Sequence, residues 1–206
     1  MSTIKNLIDI ASDANQRKEI RSGLALTFGK LGADGVSALP VLIEMLKNAD
    51  GDLRQAATIA IEDLGEACAS EFSCLLLALR DQNNYVREVA AKTIGRLREN
   101  GASSLPILID LLYEENYCVR QAAAESIARL GNNGLCVIPS LINVIGDAQV
   151  NVRYAALMVL NDLNENSISA LPHLLNMLND TDGNIRNAAA RTIRNLAQCI
   201  VDKHRA

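Results

Sequence analysis

Along the chain, aliphatic residues recur in pairs of stripes with helical spacing, divided by short polar breaks. Between residues 37 and 69 the first stripe is Leu39, Leu42, Ile43 and Leu46, and the second is Leu53, Ala57, Ile61 and Leu64. Apolar residues three and four positions apart share one helix face, so each stripe predicts an amphipathic helix. The break from Asn48 to Asp52 turns the chain between the two, and the second helix is expected to start near Leu53.

The same double stripe returns every 33 residues. Arg21, Arg54, Arg87, Arg120, Arg153 and Arg186 keep that interval, as do Leu42, Leu75, Leu108, Leu141 and Leu174. Ala57, Ala90, Ala123, Ala156 and Ala189 form another column, and Leu64, Leu97, Leu130, Leu163 and Leu196 a fourth. Pro40, Pro106, Pro139 and Pro172 fall in a column whose missing member is Ser73. A fixed period of this length marks a repeat architecture. It divides residues 1–206 into a degenerate N-terminal cap unit, 1–36, then repeats 37–69, 70–102, 103–135, 136–168 and 169–201, with a short tail, 202–206.

Local chemistry suggests where each helix begins and ends. Ser37, Ser70, Ser103 and Ser169 precede the first stripe and are expected to cap it, whereas Cys136 in that column should cap poorly. The proline three residues on suits a first turn, where a missing amide hydrogen costs nothing. Gly32, Gly65 and Gly131 follow the second stripe and suit the left-handed turn beyond a helix end. The leading stripe, around Ile4, Leu7 and Ile8, is out of register and lacks the serine and proline, as a terminal cap does.

A pair of short helices cannot bury its stripe alone, so successive pairs must stack. The expected fold is an all-α superhelix, a solenoid of about six helix pairs. Alanines at the contact columns let neighbouring second helices approach, and those helices would line a concave wall.

These columns resemble the HEAT-repeat superfamily, and in particular the short HEAT-like repeats named after phycobilisome lyases. The motif is an acidic or amide residue, an arginine six positions on after Val, Leu or Ile, then Ala-Ala and a leucine. It reads Asp81, Val86-Arg87, Ala90 and Leu97 in one copy and Asp180, Ile185-Arg186, Ala188-Ala189 and Leu196 in another. The resemblance implies that Asp81, Asp147 and Asp180 bond Arg54, Arg87, Arg120, Arg153 and Arg186 across neighbouring layers as a structural ladder. The ladder should be weakest where Asn15 and Asn48 replace the acid.

Composition changes the picture little. The chain is 49% hydrophobic and 3% aromatic, with no tryptophan and two phenylalanines, so its core is aliphatic and small-residue. Its net charge is −4, with 12 basic and 14 acidic groups in residues 1–103 and 8 and 10 in residues 104–206. No basic block offers an electrostatic handle to nucleic acid, and no tryptophan is available for stacking. Five cysteines without a CxxC read as free thiols in a reducing compartment, so a cytoplasmic location is expected. No apolar run is long enough to span a membrane.

Candidate chemistry is sparse. His173 and His204 stand alone, the cysteines share no ligand spacing, and no phosphate loop or nucleophile motif occurs, so no catalytic residue, metal or cofactor is assigned. Cys118, two residues before Arg120, is the one thiol with a nearby cation to lower its pKa. Residues of the second helices that the core does not need vary between copies. Tyr85 and Tyr117, in the turns preceding second helices, form a candidate partner-binding patch with Tyr154, Met158, Arg96 and Arg129, since tyrosine and methionine bury large area and adapt well. The expected function is a non-catalytic scaffold binding another protein along the concave face. The resemblance offers an alternative, a lyase-like handling of a linear tetrapyrrole with Arg96, Arg129 and Tyr154 near its propionates. Nucleic-acid binding, as in HEAT-like glycosylases, is a further alternative that the net charge opposes.

Overall fold

The computed structural model describes residues 2–130 and 137–205. Among them all regular secondary structure is helical and no strand occurs. The chain forms two compact units, Met1–Gly101 and Ala102–Ala206.

The first unit holds α1 (Ser2–Ser12), α2 (Lys18–Lys30), α3 (Leu39–Leu46), α4 (Gly51–Leu64), α5 (Phe72–Ala78) and α6 (Asn84–Arg96). α3 packs on α4, α5 on α6, and α2 lies along α4. Phe28, Leu42, Met45, Leu53, Ile61, Leu75 and Ile94 are sealed from solvent. The α2–α4 approach is close enough to require glycine, because a Cβ on Gly29 would stand 2.7 Å from the Ala60 Cα. The second unit holds α7 (Leu105–Asp110), α8 (Tyr117–Leu130), α9 (Ile138–Val144), α10 (Val150–Asp162), α11 (Leu171–Met177) and α12 (Gly183–Arg205). There α7 packs on α8, α9 on α10 and α11 on α12, while α10 touches both α8 and α12. The alanine columns sit at these contacts: Ala122, Ala123, Ala155, Ala156, Ala188 and Ala189 are all buried. The fold is the expected all-α repeat of stacked helix pairs.

The caps differ from the sequence reading in an instructive way. α3 starts at Leu39 rather than Ser37, because Gly32–Ala38 forms a 3-10 segment whose backbone bonds need no serine oxygen. No side chain caps α3, and the Ser70 hydroxyl instead donates to the Ala67 carbonyl at 2.9 Å. The prolines do occupy the first turns of α3, α7, α9 and α11. Side-chain capping belongs to the second helices. Asp50 accepts from the amides of Asp52 and Leu53 at 2.9 and 3.2 Å, so α4 begins two residues before Leu53. Asn83, Asn116 and Asp182 accept in the same manner ahead of α6, α8 and α12.

At the other helix end, Gly32 and Gly65 have φ of +54° and +52°. Arg98 and Asn164 take the same column at φ +50° without being glycine. Gly131 and Cys136 lie outside the described residues, as does the side chain of His204.

The arginine column is bound in a way the motif did not disclose. From Arg54 onward each guanidinium bonds two carbonyls of its own turn, whereas Arg21 donates to the Ala11 carbonyl at 3.0 Å: Arg54 bonds Asn48 and Ala49, Arg87 bonds Asp81 and Gln82, Arg120 bonds Glu114 and Glu115. Arg153 and Arg186 repeat this with Asp147 and Ala148, and with Asp180 and Thr181. The acids at 81, 147 and 180 accept the amide two residues on, a turn that Asn48 makes equally well without charge. Arg153 also crosses to the next layer, meeting Asp180 at 2.9 Å. Lysines cross layers as well: Lys18 pairs with Asp50 at 3.0 Å and Lys47 with Asp81 at 2.8 Å.

Candidate functional site

The side chains that the core leaves free on α8 and α10 fall four residues apart, so they project from one face of each helix. From α8 these are Tyr117, Gln121 and Glu125; from α10 they are Tyr154, Met158 and Asp162. Between them lies a groove of about 240 Å³, with Ala124 and Ala155 in its lining and Arg120 and Asn151 completing it. The small alanine side chains let the two helices close, while the long residues on either side stand up as walls.

Tyr117 is 63% exposed and Tyr154 37% exposed, so both rings offer apolar surface to solvent. The Arg120 guanidinium lies 6.0 Å from the centre of the Tyr117 ring, at the edge of cation–π range. Glu125 accepts from the Gln121 amide at 3.0 Å, and Asp162 from the Asn161 amide at 3.0 Å. The groove thus joins two aromatic rings and a thioether to a rim of amides and carboxylates.

Tyr154 also borders a second recess toward α12, lined by Asn184, Asn187, Ala188 and Arg191. Arg191 reaches back to the Met158 sulfur at 3.1 Å, and Asn195 donates to Asn161 at 2.8 Å. Sequence reasoning passed over Asn187 and Arg191, although they follow Tyr154 and Met158 by one repeat and Gln121 and Glu125 by two. Reading those two columns through to the last copy finds them.

The other candidate residues are placed elsewhere. Tyr85, in the first unit, hydrogen-bonds the Thr58 hydroxyl at 2.8 Å and is part-buried. Arg96, also in the first unit, pairs with Glu62 at 2.9 Å. Arg129 is exposed on the last turn of α8, outside the groove lining. Of the three residues expected near a tetrapyrrole's propionates, only Tyr154 lines the groove.

The cysteines divide by burial. Cys118 is exposed in the first turn of α8, and Cys68 is fully buried. Burial pushes the Cys68 thiol up to about 11, and burial also raises that of Cys74. His173 is exposed on α11. Among the described residues no three His, Cys, Asp or Glu side chains are grouped to hold a metal ion, and no helix is long and apolar enough to cross a membrane.

The family described as HEAT repeats matches residues 73–137 and 138–199. An engineered protein of known structure is 15% identical with a TM-score of 0.52, the match covering 96% of this chain and 98% of that one. A designed armadillo repeat protein in complex with the peptide (KR)4 is 16% identical with a TM-score of 0.53, over 94% and 99% of the two chains. A computationally designed armadillo repeat protein for modular peptide recognition is 18% identical with a TM-score of 0.51, over 93% and 99%. At these identities the likeness concerns the fold. No curated protein matches the chain.

Proposed function

This chain belongs to the HEAT-repeat family, and on that premise we propose that it is a non-catalytic scaffold binding another protein. Stacked helix pairs hold a rigid surface whose outward columns vary freely while the core columns stay fixed. The partner is held along the face of the second unit, in the groove between α8 and α10. One observation carries this reading: Tyr117, Tyr154 and Met158, from adjacent repeats, line a single groove, with the two rings exposed and the methionine half-buried. Such residues bury large area at small conformational cost, and amides and carboxylates beside them can bond a peptide backbone. Two of the similar structures are described by peptide complexation or peptide recognition, which agrees with an extended segment as the ligand.

The test is a pull-down from the native source, comparing wild type with the triple variant Tyr117→Ala, Tyr154→Ala, Met158→Ala. Loss of one partner by the folded variant supports the groove, and unchanged recovery of every partner overturns it. Tyr85→Phe, Arg96→Ala and Arg129→Ala, which alter the remaining residues of the expected patch, should retain that partner.

A further inference from the structure

Two carboxylates line the groove between α8 and α10, and no cation pairs with either among the described residues. Glu125 is bonded by the neutral Gln121 amide and Asp162 by that of Asn161. The one cation in that lining, Arg120, is 7% exposed and donates to the Glu114 and Glu115 carbonyls at 2.6 and 2.7 Å. The recess between α10 and α12 is of the opposite sign. Its one charged lining residue, Arg191, is exposed and meets no acid; its guanidinium reaches the Met158 sulfur, a weak acceptor, at 3.1 Å. Tyr154 is the wall common to groove and recess.

The repeat fixes how these charges are spaced. Glu125, Met158 and Arg191 follow one another at 33 residues, so they stand side by side across α8, α10 and α12, which pack in that order. With neighbouring axes roughly 8–10 Å apart, the backbones at Glu125 and Arg191 are about 16–20 Å apart. That separation keeps the two from neutralising each other. An extended segment advances about 3.3 Å per residue. Because Arg191 leans back over α10, such a segment spans the two charges in about four to six residues. Between them it crosses the Tyr154 ring and the Met158 thioether.

We infer that the partner presents an extended segment of mixed charge, a basic side chain and an acidic one about four to six residues apart with apolar residues between. The basic group meets Glu125 and Asp162, the acidic group meets Arg191, and the apolar residues lie on Tyr154 and Met158. A segment of one sign is disfavoured at one end or the other: a polybasic one faces Arg191, and a polyacidic one faces the two carboxylates. The inference rests on the groove as the binding site and adds the chemistry of its ligand.

The test is an array of synthetic decapeptides with randomised apolar residues at four central positions. The flanking residues are Lys and Glu in either order, two Lys, two Glu or two Gln. The whole chain should bind the mixed-charge class about fivefold more tightly than the others, the effect of two solvent-facing ion pairs. Arg191→Glu should turn the preference to two Lys, and Glu125→Lys with Asp162→Asn should turn it to two Glu. Melting temperatures check that the variants fold. If one melts below wild type, the salt dependence of wild type decides, since the preference should fade at high salt. Equal binding of all classes, no binding of any, a preference that folded variants leave unchanged, or one undiminished by salt would each overturn the inference. The triple variant of Tyr117, Tyr154 and Met158 should lose every class. If it does while wild type binds all classes alike, the groove stands and this inference falls; charge-selective binding that survives the triple variant overturns both.

Discussion

Arg153 donates to Asp180 across 2.9 Å, from one layer of the second unit to the next, with both side chains less than a tenth exposed. The same carboxylate accepts the Asp182 amide at 2.8 Å, so a single acid both shapes its own turn and ties it to the preceding layer. Burial opposes ionisation of Asp180, but the Asp182 amide and the Arg153 guanidinium outweigh it and hold the carboxyl below its ordinary value of 3.8.

Asp180→Asn keeps the turn geometry but removes the charge opposite Arg153, and should lower stability by about 1–3 kcal/mol in chemical denaturation. Because the folded value is depressed, the contribution of Asp180 is fully present above the unfolded value and is lost as pH falls through the folded one. The gap between wild type and variant should thus be full at neutral pH and shrink below about pH 4. A gap that persists unchanged in acid contradicts this account.

The left-handed column gives paired predictions of opposite sign. Arg98→Gly relieves a side chain held at φ +50° and should raise stability by about 0.5–1 kcal/mol. Gly65→Ala should lower it by about 1 kcal/mol, and through conformation alone, since an added Cβ meets nothing within 4 Å. Thermal melts of the two variants against wild type would show the sign.

Gly29→Ala is predicted to destabilise for a different reason. Its Cβ would press on the Ala60 backbone at 2.7 Å, forcing α2 and α4 apart at a cost of about 1–3 kcal/mol. Pairing it with Gly65→Ala in denaturant titrations separates steric from conformational loss, as only Gly29→Ala should worsen steeply when enlarged to Val.

Two tyrosines of similar appearance should behave differently. The Thr58 hydroxyl also bonds the Arg54 carbonyl at 2.9 Å, so the Tyr85 hydroxyl is the donor to Thr58. Tyr85→Phe should cost about 1 kcal/mol. Tyr117→Phe, at a ring 63% exposed, should change stability by less than about 0.5 kcal/mol.

Thiol labelling should follow burial. Ellman's reagent at pH 8, with the modified peptides mapped by mass spectrometry, should mark Cys118 rapidly in the native protein. Cys68, buried and with its thiol pushed up to about 11, should react only on unfolding. Equal rates for the two in the folded protein would exclude the placement of Cys68 in the core.

The 33-residue period determined the helix pairs and their buried columns, because repetition leaves the same apolar positions facing a neighbour in every copy. Ala57, Ala90, Ala123, Ala156 and Ala189 are buried as that period requires, without any knowledge of the packing. Polar partners were another matter, since a motif records which residues recur and not which atoms they meet. The acid and arginine columns read as partners across neighbouring layers, which Arg153 and Asp180 are; Arg153 also closes its own turn through carbonyls, which carry no side-chain signature. The serines looked like caps until a 3-10 segment displaced the helix start past them. Tyr85, Tyr117 and Tyr154 were expected in one patch, and the tertiary structure divides them, binding Tyr85 to Thr58 and leaving the other two on a groove between helices. Apolar burial is periodic and so legible from the chain; hydrogen-bond choice and surface concavity depend on distances that arise only once the layers are stacked.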